Sequence, residues 1–208
     1  MPPIRRLRGF SVVEMMVAMS LMGFLLAGIY GLMTLGMRHA READVFETVH
    51  SQALVVLAKM RQEITLTSYA SVSDLATAPD YVIFASPQRT LDTPNHQVFS
   101  YDGTGNLEWH KWVCLFRDRV EDTVVRVEQA LATPTNAPPT APPPLTDFTA
   151  ATGNDRRIVG RNCSALTFES GTAVLGSVRI TVETSKLVNS EDRTVLRLID
   201  DVKPRNEP

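Results

Sequence analysis

From Met15 to Met37 the chain runs through 23 consecutive residues with no ionisable side chain apart from Tyr30. A helix needs roughly 20 predominantly apolar residues to cross a bilayer core. The run is therefore long enough to span, and a simple cytosolic fold is disfavoured. Arg5, Arg6 and Arg8 stand just before it. A basic flank of this kind stays on the cytoplasmic side, so the rest of the chain is expected to cross. The chain as a whole has a formal net charge of −2. That balance gives no push toward nucleic acid, and binding of nucleic acid by this chain is not expected. The two cysteines, Cys114 and Cys163, lie in the part that crosses. They can form one disulfide or remain two buried thiols; the sequence leaves both open.

Three readings compete for the first forty residues. A cleaved secretory signal has an apolar core of about 7–15 residues followed by an A-x-A-like site. Here the run is longer, and Ala40-Arg41-Glu42-Ala43 has the wrong spacing. A plain membrane anchor fits the hydropathy, but it gives no reason for Glu14. That carboxylate sits four residues into the apolar stretch that opens at Phe10. A carboxylate at mid-membrane costs about 2.5–3.5 kcal/mol on insertion scales, less near the interface. Such a group is normally paired with a cation.

The local sequence is Arg8-Gly9-Phe10-Ser11-Val12-Val13-Glu14-Met15. It resembles the class III signal of type IV pilins and of the pseudopilins of type II secretion. In that family a basic leader ends in Gly, an aromatic follows, and Glu is the fifth residue after the cut. Gly9, Phe10 and Glu14 stand in that register, with Ser11, Val12 and Val13 as conservative departures. The resemblance implies that a prepilin peptidase cuts between Gly9 and Phe10 and that the new Phe10 amine is N-methylated. It also implies that Glu14 of one subunit meets the Phe10 amine of its neighbour during assembly. Each of those charges would pay a desolvation penalty alone.

Beyond Met37 the apolar positions become periodic. Phe46, Val49, Ala53, Val56, Leu57, Met60 and Ile64 recur at steps of three and four, the mark of one buried helix face. No proline falls within residues 4–78, so one helix is predicted from about Phe10 to about Thr67, its second half packed on a globular domain. Gly23, Gly28, Gly31 and Gly36 weaken the apolar half, as melting points or as close-packing sites.

The remainder reads as strands. Tyr81–Phe84 is a short apolar run, and residues 96–101 and 107–116 flank the turn cluster 102–106, which predicts a hairpin. Thr123–Val127, Ala165–Glu169, Ser177–Glu183 and Thr194–Val202 read as further strands. Residues 133–146 hold six prolines and are expected to form an extended exposed loop, neither strand nor helix.

This organisation again resembles pilin-like proteins. The fold class is α+β, a long N-terminal helix packed on an antiparallel β-sheet. The segments are a leader over 1–9, a transmembrane or assembly half over 10–37, an amphipathic half over 38–68 and a β-rich domain over 69–208. The C-terminal stretch Leu196 to Asn206 and the helix text Leu57 to Ile64 are similar to larger minor pilins of the PilW and pseudopilin J type.

Few other constellations suggest chemistry. His39, His50, His96 and His110 lack the spacing of a metal pair, and no hydrolase elbow, phosphate loop or metalloprotease motif occurs, so no catalytic residue, metal or cofactor is expected. Trp109 and Trp112, three apart, are predicted to face opposite sides of a strand, one in the core and one outside. Asp200 and Asp201 with Glu191 and Asp192 offer either a solvated acidic edge or a calcium site such as some pseudopilins carry.

The function expected is that of a minor pilin or pseudopilin, a structural subunit and not an enzyme. Its partners would be a prepilin peptidase and other minor and major pilins or pseudopilins. It would sit in the bacterial inner membrane by a single pass, N-terminus cytoplasmic and globular domain periplasmic or extracellular. The alternative is a bitopic anchored protein whose periplasmic domain binds a ligand.

Overall fold

The computed structural model describes residues 11–77, 79–89, 98–150, 156–172, 174–188 and 192–205. Gly9, Phe10, His96 and Glu191 lie outside the described residues. The chain opens on α1 (Val12–Thr65) and a 3₁₀ turn (Tyr69–Ser71). Then come β1 (Tyr81–Ser86), β2 (Gln88–Arg89), β3 (Val98–Phe99), β4 (Trp109–Asp118) and β5 (Thr123–Thr135). After them follow α2 (Leu145–Thr149), β6 (Arg156–Gly160), β7 (Cys163–Ser170), β8 (Val178–Leu187) and β9 (Arg193–Val202). Two compact units result, Met1–Asp44 and Val45–Pro208.

In the first unit α1 exposes its apolar side chains almost throughout; Phe24 is 79% and Leu32 74% accessible. No part of its most apolar 18-residue window is buried, and the helix is long and apolar enough to cross a membrane. A helix apolar on all sides has no water-facing side and is stable only inside lipid or among other helices.

In the second unit the helix turns amphipathic and the strands close over it. Val49, Ala53, Val56, Met60 and Ile64 are fully buried. Three of them, Val56, Met60 and Ile64, share one cluster with Val82, Phe84, Val113 and Leu115, and with Phe168, Ile180 and Val182 from the later strands. Each such side chain contributes about 1.5–3 kcal/mol relative to exposure. The strands form an antiparallel four-stranded sheet in the order β1-β4-β5-β6, a pair β2-β3, and a three-stranded sheet β7-β8-β9.

The four-stranded sheet is apolar on both faces. The face toward α1 carries Val82, Phe84, Val113 and Leu115. The other carries Ile83, Ala85, Cys114, Phe116, Val125 and Val127 with both tryptophans and Phe148 of α2. This is why β1 and β4 read as nearly unbroken apolar runs instead of alternating.

The predicted strands at 81–84, 165–169, 177–183 and 194–202 are present, with ends shifted by up to four residues. Several expectations are corrected. The helix runs from Val12 to Thr65, because backbone bonds from Leu66 to Glu63 and from Thr67 to Ile64 tighten its last turn. Phe46 is half exposed and stacks on His50 at 6.1 Å, so it leaves the buried face. The predicted hairpin is reduced to one bridge, Tyr101 to Leu107; β3 pairs with β2, and β4 with β1 and β5.

Trp109 and Trp112 are both buried on one face, 2% and 4% accessible. An irregularity between Trp109 and Lys111 breaks the alternation that parity assumed. The same irregularity admits Pro134 into β5, where pairing jumps from Lys111–Ala130 to Trp109–Thr135 and β6 no longer reaches. A missing N–H costs little at such a site. The proline-rich stretch therefore starts as a strand and ends in α2 at Leu145.

The cysteines are free thiols, both buried. Cys163 belongs to the layer against α1 and Cys114 to the opposite layer. Burial pushes the Cys114 thiol up to about 12 and the Cys163 thiol up to about 11.

Candidate functional site

The residues that begin α1 form a closed local arrangement. The Ser11 carbonyl accepts the Met15 N–H at 3.1 Å, the first bond of the helix. The Ser11 hydroxyl accepts the Val13 N–H at 3.3 Å. In return Glu14 Oε2 accepts the Ser11 N–H at 2.9 Å. Serine at the cap with glutamate three residues on is a capping box, which satisfies orphan amides at a helix start. An acidic group there also meets the positive end of the helix dipole. Glu14 is thus held by its own helix through one oxygen. Its other oxygen, Oε1, makes no hydrogen bond among the described residues. The serine–glutamate spacing is itself legible as a capping signal; reading Glu14 only as an intramembrane charge passes over it.

Above this cap the apolar run offers side chains in all directions. Gly23, Gly28, Gly31 and Gly36 have open space where a Cβ would stand. Another helix can therefore approach the backbone closely at four places. Ser20 and Thr34 turn their hydroxyls back to the carbonyls of Val17 and Gly31, so neither presents an unmet polar group to lipid.

A second polar constellation lies in the globular unit, beneath the last turns of α1. Glu63 accepts from Arg126 Nε at 2.9 Å and from its Nη2 at 3.2 Å. Arg126 also pairs with Glu128, and Lys111 Nζ donates to Glu128 at 2.9 Å. All four are largely buried. Desolvation pulls the Lys111 ammonium below its ordinary value, and the Glu63 and Glu128 charges hold the Arg126 guanidinium above its own against the effect of burial. No spacing in the sequence announces this network, because its members come from α1, β4 and β5. It ties helix to sheet.

The acidic cluster of the C-terminal strand is engaged. Asp201 accepts two bonds from Arg179, at 2.8 and 2.9 Å, and Asp200 lies 3.5 Å from Arg61. Arginine thus occupies carboxylates that a cation or bulk water would otherwise take. Among the described residues no group of three or more His, Cys, Asp or Glu is arranged to hold a metal ion.

Comparison with curated proteins returns no match, and comparison with solved structures returns none. Comparison with family models matches residues 4–30 to the prokaryotic N-terminal methylation motif. The matched segment covers the three arginines, Gly9, Phe10, the Ser11–Glu14 cap and the apolar run as far as Tyr30. The chain thus carries that motif over residues 4–30, at the head of a long helix with antiparallel sheets behind it.

Proposed function

We propose that the chain is a minor pilin or minor pseudopilin, a structural subunit with no catalytic activity of its own. Prepilin peptidase removes residues 1–9, and the freed Phe10 amine is methylated. The mature subunit waits in the inner membrane by one pass, its globular unit on the far side. It then joins other pilin-like subunits in the filament, or at the tip, of a type IV pilus, a type II secretion system or a DNA-uptake machine. The observation that carries this reading is the first turn of α1. The methylation motif lies over it, and Glu14 Oε1, which makes no hydrogen bond among the described residues, can accept the amine of a neighbouring Phe10.

The test is co-expression with a prepilin peptidase followed by intact-mass measurement. Loss of residues 1–9 with an added methyl group is the expected product, and Gly9→Val should block the cut by setting a branched side chain where close backbone access is needed. An unprocessed Met1 terminus in the assembled complex would overturn the reading and leave an anchored ligand-binding protein in its place.

A further inference from the structure

A groove runs in the globular unit between α1 and β6. Its two parts measure about 680 Å³ and about 250 Å³ and share Ile158 and Val159. One wall is a single stripe of α1, Ser51, Val55, Lys59 and Gln62, at helical steps of three and four, continued by Leu66 just past its end. The opposite wall is β6 and the residue after it, from Arg157 to Arg161. β6 is the edge of its sheet; its inner side pairs with Val124 to Val127, and its outer side has no strand beside it among the described residues. Gly160 lets this strand lie close on the helix, since a Cβ there would meet Val56 Cγ2 at 2.0 Å.

The charge in the groove is one-sided. Lys59, Arg157 and Arg161 line it and make no ion pair among the described residues. Its one lining carboxylate, Glu63, is already held by Arg126. An occupant that fits has carboxylates for three cations and N–H groups for a strand edge. A short acidic peptide combines these.

We infer that the groove between α1 and β6 binds an extended acidic segment of another protein chain, which adds a strand to β6 and sets its carboxylates against Lys59, Arg157 and Arg161. This surface lies in the globular unit, and its use does not depend on leader cleavage.

The full chain in detergent micelles serves for the test, unprocessed, so that failure here is distinct from failure of the processing experiment. Three labelled peptides are compared by fluorescence anisotropy. The first alternates glutamate with valine, the second has the same charges with proline at alternate positions, and the third is stiffened into a helix by α-aminoisobutyrate. The first should bind, and its binding should weaken as salt rises. The proline peptide should bind at least about tenfold less well, because every second N–H is gone and its fixed φ disfavours a regular added strand. Combined Lys59→Glu and Arg157→Glu substitution should weaken binding about tenfold or more, while Arg193→Glu on the exposed face of β9 should leave it unchanged. Hydrogen exchange should show new protection at residues 157–161 with the first peptide. Equal binding of the proline peptide, tighter binding of the helical one, an equal loss with Arg193→Glu, or no binding of the first peptide would each overturn the inference.

Discussion

Glu14 closes the cap of its own helix, and two substitutions in this turn probe it differently. Within the subunit it accepts the Ser11 N–H; in the proposed assembly its Oε1 would meet a neighbour's amine. Ser11→Ala removes only the hydroxyl half of the cap and should cost about 1 kcal/mol of helix stability, a fray at the first turn. Glu14→Ala removes the counter-charge as well. Membrane insertion should be normal and leader cleavage near normal, yet filament or tip assembly should fail, since one broken buried pair costs roughly 3–5 kcal/mol. Scoring insertion, cleavage and assembly side by side reads this dissociation; assembly at the wild-type level would refute the pairing. Other carboxylates speak to pH. Hydrogen bonds from Thr104 and Asn106 hold the Asp102 carboxyl below its ordinary value, the Val120 amide and Arg156 do so for Asp118, and Arg179 for Asp201. A lowered folded-state pKa adds stability that is present above the unfolded carboxylate range, near 3.9, and lost as pH falls through the lower folded values. The urea midpoint of the globular unit should therefore drop between pH 5 and pH 3, and Asp201→Asn should flatten that drop.

At the scale of elements, the closest approach is the contact of β6 with α1. A Cβ at residue 160 would stand 2.0 Å from Val56 Cγ2 and 3.5 Å from its Cβ. Val56 is a fully buried branched residue with one preferred helical rotamer, so it yields poorly. Gly160→Ala should destabilise by about 1–3 kcal/mol. Paired with Val56→Ala it should cost less than the two single changes added together, a coupling that denaturation of all three variants will measure. β6 also marks the limit of what the sequence reveals. The long helix was legible because its signal is long: an unbroken apolar run followed by five buried positions at steps of three and four. β7, β8 and β9 were legible because they alternate. β6, with the text Arg-Arg-Ile-Val-Gly, carries no clear period and takes its place from pairing with β5. The tryptophans were misplaced because parity counts residues and an irregular pairing does not. The Ser11–Glu14 cap was legible in principle, being local; Glu63 with Arg126 was not, since 63 residues separate them.

As a whole molecule the chain joins two units with opposite demands on solvent. Val45–Pro208 has its own buried layers, while the apolar part of Met1–Asp44 has none. A fragment that starts near Arg38 should therefore be soluble, with mixed helix and strand in its circular dichroism spectrum and a cooperative thermal transition. Recovery in the membrane fraction, or a featureless melt, would contradict the division. Within the globular unit the two thiols carry a separate meaning. They sit on opposite sides of the four-stranded sheet, unbonded and deeply protonated. The fold therefore holds its two sulfurs as separate thiols, one in each buried layer. Each sulfur is instead a built-in gauge. Cys114 becomes reactive only when the layer under α2 parts, and Cys163 only when the layer under α1 does. Timing their alkylation would tell which side of the sheet loosens first when a neighbour pulls on the subunit.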